Sequence, residues 1–335
     1  MMEMKTGKKG FPVKKLIPII AGVLIYALVA VGIGQSILSR SIQNLMVMMC
    51  YNVVLAVSLN LVVGFLGELS LGHAGFYAIG AYVGCIVASA VDLPVELKFL
   101  CGAAAGGVAA AVGGFLISSS ILRLKGDYLA IVTLAFGEII RSFIKIIPGT
   151  GGTAGLTGIP GFGSRLETFT FGFALAVITI VVSSNFIHSR HGRAVKAIRD
   201  NAIAAEAAGI NVKSYKIKVF TLAALFAGMA GVPFGFNTGF IEPGNFNYNV
   251  SIEILVMVVL GGMGSITGSI IAAGIITFLP EILRDADQYR LLIYAVALIL
   301  MMLLNASPKF MAFKEAINPK RLWAKRMKKA GKEGA

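Results

Sequence analysis

The residues with the most chemistry in this 335-residue chain interrupt apolar sequence. Glu68, Ser70 and His73 fall within GFLGELSLGHAGF at 64–76, and Thr133, Glu138, Arg141 and Lys145 within YLAIVTLAFGEIIRSFIKII at 128–147. An ionisable side chain at membrane depth is expensive and is by default a functional candidate. Two uses are open for the first group: Glu68 or Ser70 caps a broken helix, or Ser70 lines a route for solute. In the second, Glu138 and Arg141 are three apart and share a helix face, so pairing would lower the cost of both charges. Direct substrate contact by Glu138 is the sharper alternative. Asn60 and Asn237, polar positions in other apolar runs, join Ser70, Thr133 and Glu138 as candidates for the route.

Nothing in the chain predicts catalysis. No GxxxxGK[ST] loop occurs, so nucleotide hydrolysis by that route is excluded. GTGGTA at 149–154 fits GxGxxA but follows no strand and opens no βαβ unit. The stretch from Pro148 to Gly163, rich in Gly and free of charge, reads as an irregular outward loop. Cys50, Cys85 and Cys101 show no CxxC spacing and read as small core residues. We therefore expect no catalytic residue, no metal site and no cofactor bound by this chain.

The most informative segment is SRHGRAVKAIRDNAIAAEAAGINVKSYKIK, residues 189–218. Val195, Ile198, Ala202 and Ala205 recur at helical spacing, with Arg193, Lys196 and Arg199 off that stripe. Asp200 or Asn201 can cap a second short helix, NAIAAEAAG, and Gly209 can end it in a left-handed position. Membrane insertion favours Trp, Phe and Leu on an apolar face, and this one is mostly Ala, which suits a protein groove better than lipid.

The elements that position these residues follow from composition. Hydrophobic residues make up 57% of the chain and charged ones 14%, too few charges to solvate two globular domains of this length. The net charge of +14 is concentrated: residues 1–15, 188–218 and 305–335 hold 21 of the 30 basic residues. Islands of that kind beside apolar spans fit anionic lipid and cytoplasmic loops, and argue against a nucleic-acid stripe. Lys14 and Lys15 followed by apolar 16–31 resemble a secretory signal, but no small-x-small site closes the segment, so it is expected to remain as a first span.

Runs of helical length predict spans at 16–34, 42–63, 76–91, 99–122, 128–147, 171–187, 217–237, 250–263, 265–280 and 290–304. Ten spans place both termini and the 188–216 loop in the cytoplasm; an eight-span version would merge 250–280 into one re-entrant element and demote another span. The expected fold is thus an all-α polytopic membrane protein of about ten transmembrane helices with a cytoplasmic coupling helix. It divides into a basic N-terminus (1–15), a permease domain (16–304, coupling loop 188–216) and a basic tail (305–335). Glycines within the spans predict close helix packing. VVGFLGELSLG at 62–72 is faintly echoed by VLGGMGSITG at 259–268, as in transporters built from repeats.

GRAVKAIRDNAIAAEAAGINVKSYKIKVFTLAALFAGMAG at 192–231 resembles the cytoplasmic coupling region of ABC-importer permeases, with Glu206, Ala207, Ala208 and Gly209 similar to its acidic-Ala-Ala-Gly signature. Gly209 follows directly, without the three-residue gap of the sugar-importer form, and this departure resembles the permeases of branched-chain amino-acid importers. VVGFLGELSLGHAGFYAIGAY (62–82), LKGDYLAIVTLAFGEIIR (124–141), GGTAGLTGIP (151–160) and VVLGGMGSITG (258–268) are similar to that family too, and the second and third of these to its M-type subunit.

The resemblance covers about residues 45–305 and implies a multi-pass subunit of the cytoplasmic (inner) membrane. Its implied partners are an H-type permease, two cytoplasmic ABC ATPases that use the ATP, an extracytoplasmic amino-acid-binding protein and membrane lipid. It implies import of branched-chain or related amino acids by alternating access, with Gly192, Arg193, Arg199, Asp200, Glu206, Ala207, Ala208 and Gly209 on the ATPase-coupling loop. The alternatives are an ion-coupled secondary transporter of a small solute, which would want paired intramembrane carboxylates, and a membrane enzyme, which would want clustered Asp, His or Cys.

Overall fold

The computed structural model describes residues 13–35, 38–121, 126–283, 295–296 and 299, with side chains from Gly22 onward. Long helices occupy nine of the expected spans: α1 (Val13–Gly34), α2 (Arg40–Asn60), α3 (His73–Ala90), α4 (Val95–Ile121), α5 (Asp127–Ile146), α6 (Arg165–His188), α9 (Val212–Thr238), α10 (Tyr248–Gly261) and α11 (Ile266–Ile282). Two short helices, α7 (Arg190–Asp200) and α8 (Ala202–Ala207), fill the basic loop. The expected span 290–304 lies almost wholly outside the described residues, as do the basic stretches 1–12 and 305–335.

Five helices among the described residues are long and apolar enough to cross a membrane: α2 with its continuation to Leu66, α3, α4, α6 and α9. The fifth helix, α5, has the length but carries Glu138, Arg141 and Lys145. At 1.5 Å per residue α10 and α11 are about 21 and 25 Å long, each short of a hydrocarbon core of about 30 Å. They form an antiparallel hairpin through a turn at Gly262–Ser265, where Gly262 and Gly264 are left-handed.

The centre of the bundle is α2, buried along nearly all of its second half and packed against α6, α9, α10 and α11. Its last turns widen into a π-helix, Leu61–Leu66, and the chain then runs without helix from Gly67 to Gly72 before α3 begins. Lipid supplies no hydrophobic drive between helices, so tight packing depends on small residues. Here α3, α4 and α9 meet backbone to backbone. A Cβ on Gly80 would strike Gly228, one on Gly106 would strike Gly80, and one on Gly231 would strike Ala81.

Two aromatic groups tie the segments that follow α9 and precede α6 to the bundle. Tyr77 meets Phe246 with centroids 4.9 Å apart and Phe234 at 5.7 Å. Phe162 stacks on Phe171 at 4.9 Å and tilts onto Phe236 at 5.6 Å. Phe162 thereby pins the Gly-rich stretch 148–163, expected as an irregular loop. That stretch folds into two 3₁₀ turns and a short strand β1 (Leu156–Thr157), antiparallel to β2 (Phe240–Ile241). Gly155, left-handed at φ 85°, leaves room for the Ile241 carbonyl against it.

The expectation for the cysteines holds for Cys50 and Cys85, which are buried, and fails for Cys101, which is exposed on α4. Only a third of the apolar window of α4 is buried inside the chain. An apolar exterior suits a helix bathed in lipid, where a small apolar residue points outward at no cost.

Candidate functional site

The loop 189–211 is built from capped helix ends. Ser189 accepts hydrogen bonds from the amides of His191 (3.1 Å) and Gly192 (3.4 Å), starting α7. Asn201, one of the two expected caps, accepts from Ala204 N–H at 3.0 Å and starts α8. Gly209 ends α8 at φ 84°; its amide bonds Glu206 and that of Ile210 bonds Ala205, satisfying carbonyls that the helix end would leave free.

The small-sided stripe finds its groove within the same chain. Val195, Ile198 and Ala205 are buried against Leu61, Val62, Phe65 and Leu66 of the π-helix and Val219 and Phe220 of α9. Gly192 packs where a Cβ would strike the Ile187 backbone. Facing away from the bundle are Arg193, Asp200, Glu206, Ala207, Ala208 and Gly209, all exposed, together with Ile203, 78% exposed. Ile203 was missed in the sequence, although it is the one large apolar residue of α8 off the Val195–Ala205 stripe.

Arg199 turns back to the bundle. Its Nη1 donates to the Gly64 carbonyl at 2.8 Å, and its stem lies on left-handed Gly67. That carbonyl lies in the last turn of the π-helix, where carbonyls lose their intrahelical partners, and the guanidinium supplies a donor. Asp200, 3.9 Å from Arg199 Nε and 76% exposed, adds little to this contact.

The two Gly-rich stretches that echo one another in sequence meet at this point. Gly264, in the α10–α11 turn, donates its amide to Asn60 Oδ1 at 2.9 Å, and Asn60 Nδ2 donates to Ser269 Oγ at 3.0 Å. Gly64 sits so close that a Cβ there would strike both the Asn60 side chain and the Gly264 amide. One latch thus joins α7, the end of α2 and the hairpin. Asn60→Leu keeps the volume but strands the Gly264 amide, since Ser269 retains the Ser265 carbonyl as acceptor. We expect a loss of about 1–2 kcal/mol, read as a lower Tm of the detergent-solubilised protein. An unchanged Tm would show that the amide has another acceptor.

The break before α3 is also held by side chains. Lys216 of α9 and Glu68 form a largely buried ion pair. Leu71 N–H donates to Thr133 Oγ1 at 3.0 Å, and Ala74 N–H to Ser251 Oγ at 3.0 Å. His73 Nε2 lies 2.8 Å from Ser58 Oγ, whose own proton goes to the Leu55 carbonyl, so Nε2 carries the proton and donates. Glu138 bonds Arg141 through Oε2 (2.5 and 2.8 Å) and accepts the Tyr248 amide through Oε1 at 3.1 Å. The intrahelical pair foreseen for α5 is therefore present, and it also anchors the start of α10.

The five route candidates divide. Ser70 and Thr133 come together through Leu71, and Glu138 stands further along α5 beside an open surface depression of about 330 Å³ bordered by Ile139, Ser142, Phe143 and Ile146. The Ser70 hydroxyl is buried and has no hydrogen-bond partner among the described residues. Asn60 belongs to the latch, and Asn237 meets Arg165 at 2.8 Å near the opposite end of the bundle.

Residues 41–305 match the family model described as "Branched-chain amino acid transport system / permease component". The chain is 36% identical over 296 residues to the high-affinity branched-chain amino acid transport system permease protein LivM of Escherichia coli (strain K12), covering 79% of this chain and 69% of that relative. It is 28% identical to the ribose import permease protein RbsC of the same organism, over 79% of this chain and 85% of the relative. To LivH, another branched-chain amino acid permease protein of that strain, it is 26% identical, over 74% and 87%. No solved structure matches the chain.

Proposed function

The chain belongs to the family of permease components of branched-chain amino acid transport systems, and from that premise we propose that it is the M-type half of an importer's membrane pathway, driven through α7 and α8. It is a multi-pass protein of the inner membrane and works with a second, homologous permease of the H type. Two cytoplasmic ABC ATPases supply the ATP chemistry and an extracytoplasmic binding protein delivers the substrate. This chain itself binds no cofactor. Both termini and the 188–216 loop lie in the cytoplasm, and ten spans, two of them the short arms α10 and α11, make up the membrane domain.

The observation that carries this reading is the two-sidedness of α7 and α8. Their inner face is buried on the ends of α2 and α9, while the outer face offers Ile203, Glu206 and the Ala-Ala-Gly end to a partner. ATP can shift the permease between inward and outward states only if this surface makes different contacts with open and closed ATPases. The latch at Gly64 then carries that difference into α2 and the hairpin. Ser70, Thr133 and Glu138 mark the route, which runs beside α5. A charged pair on a helix that also exposes Ile131, Ile139, Phe143 and Ile146 suits a seam between two permeases better than lipid.

Affinity purification in mild detergent tests the assembly: ATPases and the second permease should accompany the chain, and uptake of branched-chain amino acids by the reconstituted complex should require ATP. Purification without ATPases, with uptake following an ion gradient, would make it a secondary transporter. Ile203→Asp probes the surface itself. Ile203 touches little within its own chain, so folding should be unchanged, whereas losing a central apolar anchor costs about 2 kcal/mol. ATPase retention in a pull-down should fall roughly thirtyfold; full retention would move the contact elsewhere.

A further inference from the structure

Between the last turns of α4 and the first half of α9 lies a groove of about 600 Å³ lined by no residue of α7, α8 or the latch. Lys213, Ser214 and Lys218 border one end; Phe115, Leu222 and Leu225 border the other. We propose that this groove holds an acidic phospholipid of the cytoplasmic leaflet, its phosphate on Lys213 and Lys218 and its acyl chains along Phe115, Leu222 and Leu225. The inference rests on the orientation given above, with the start of α9 at the cytoplasmic surface.

Three features select that occupant. The first is charge. Three lysines lie in the opening turns of α9, and Lys216 is buried on Glu68, whereas Lys213 and Lys218 are exposed and, among the described residues, within 4.0 Å of no carboxylate. The Lys218 ammonium rests over the Tyr215 ring at 5.3 Å, a contact that leaves its N–H donors available. The positive end of α9, capped by Asn211 on the Ser214 amide, adds to the same potential.

The second is the order of polarity. From Asn211 to Leu225 the groove runs about 21 Å along α9 and changes once, from cationic to apolar, going into the membrane. A phospholipid has the same order, head before chains. A partner helix seated here would have to leave two ammonium groups unpaired at its end or bring acidic residues to match them. The third is shape: Phe115 is 52% exposed on the rim, so an acyl chain lies against a ring otherwise facing bulk lipid.

Basic sites of this kind at the cytoplasmic leaflet gain about 1 kcal/mol per lysine from anionic headgroups. The test uses the assembled transporter in nanodiscs of phosphatidylcholine and phosphatidylglycerol, with a photoactivatable residue replacing Ile217 in the groove wall. Irradiation and mass spectrometry should return phosphatidylglycerol adducts enriched over the bulk ratio. Lys213→Gln with Lys218→Gln should cut that enrichment roughly thirtyfold, matching about 1 kcal/mol per lysine, without loss of ATPase subunits from the complex. Equal labelling of both lipids, or a cross-link to a partner subunit, overturns the proposal. ATP-driven uptake measured on the same nanodiscs reports separately on the importer reading, so failure of one is distinguishable from failure of the other.

Discussion

Arg199→Met should leave the permease folded and bound to its ATPases while ATP hydrolysis loses its hold on uptake. Methionine keeps the apolar stem over Gly67 and removes the donor to the Gly64 carbonyl. The Ile203 and Glu206 face is untouched, so assembly should survive. Coupling free energies between sites are commonly about 1–3 kcal/mol, and a charged hydrogen bond of this type accounts for much of such a term. Substrate carried per ATP should therefore fall about tenfold in proteoliposomes, with hydrolysis largely retained. Arg199→Lys restores a donor without the fork geometry and should recover part of the loss. Unchanged stoichiometry in Arg199→Met would place the transmission outside the latch.

The largest loss of stability should come from Lys216→Met. The Lys216 side chain is nine-tenths buried and pairs with Glu68, itself largely buried in the break before α3. Removing one partner leaves a carboxylate without compensation in a poorly hydrated place, which costs about 3–5 kcal/mol. The double variant Glu68→Gln, Lys216→Met removes that penalty and should regain most of the lost Tm, because the neutral amide has no charge to strand. If the single and double variants melt alike, the pair contributes no charge coupling and the break is held by its hydroxyl contacts to Thr133, Ser251 and Ser58.

Much of the helical layout was legible because apolar runs of spanning length have few alternatives in lipid. The caps of the loop helices were legible as well: Asn201 and Gly209 act through neighbours within four residues, and local chemistry is what a sequence displays. Arg199 was a different matter. By spacing it is one more cation off the buried stripe, yet its hydrogen bond goes to a carbonyl 135 residues earlier, in the last turn of a π-helix that no side-chain pattern announces. For Asn60, a candidate for the route by sequence, the partners at Gly264 and Ser269 are likewise distant in sequence and are visible only in the structure.

Burial was hard to read for a physical reason. In water, apolar character separates inside from outside; in lipid both are apolar, so Cys101 on exposed α4 and Cys85 in the core look alike. The stripe on α7 misled in the opposite sense. Its spacing is legible, but the groove it fills is the chain's own, and the exposed face of α7 and α8 is what remains.

The most direct measurement is a cross-link from position 203. With a photoactivatable residue in place of Ile203, the assembled complex should yield an adduct to an ATPase subunit, and its yield should change when ATP is bound and not hydrolysed. An ATP-independent adduct, or labelling confined to lipid, would contradict the claim that α7 and α8 carry the drive.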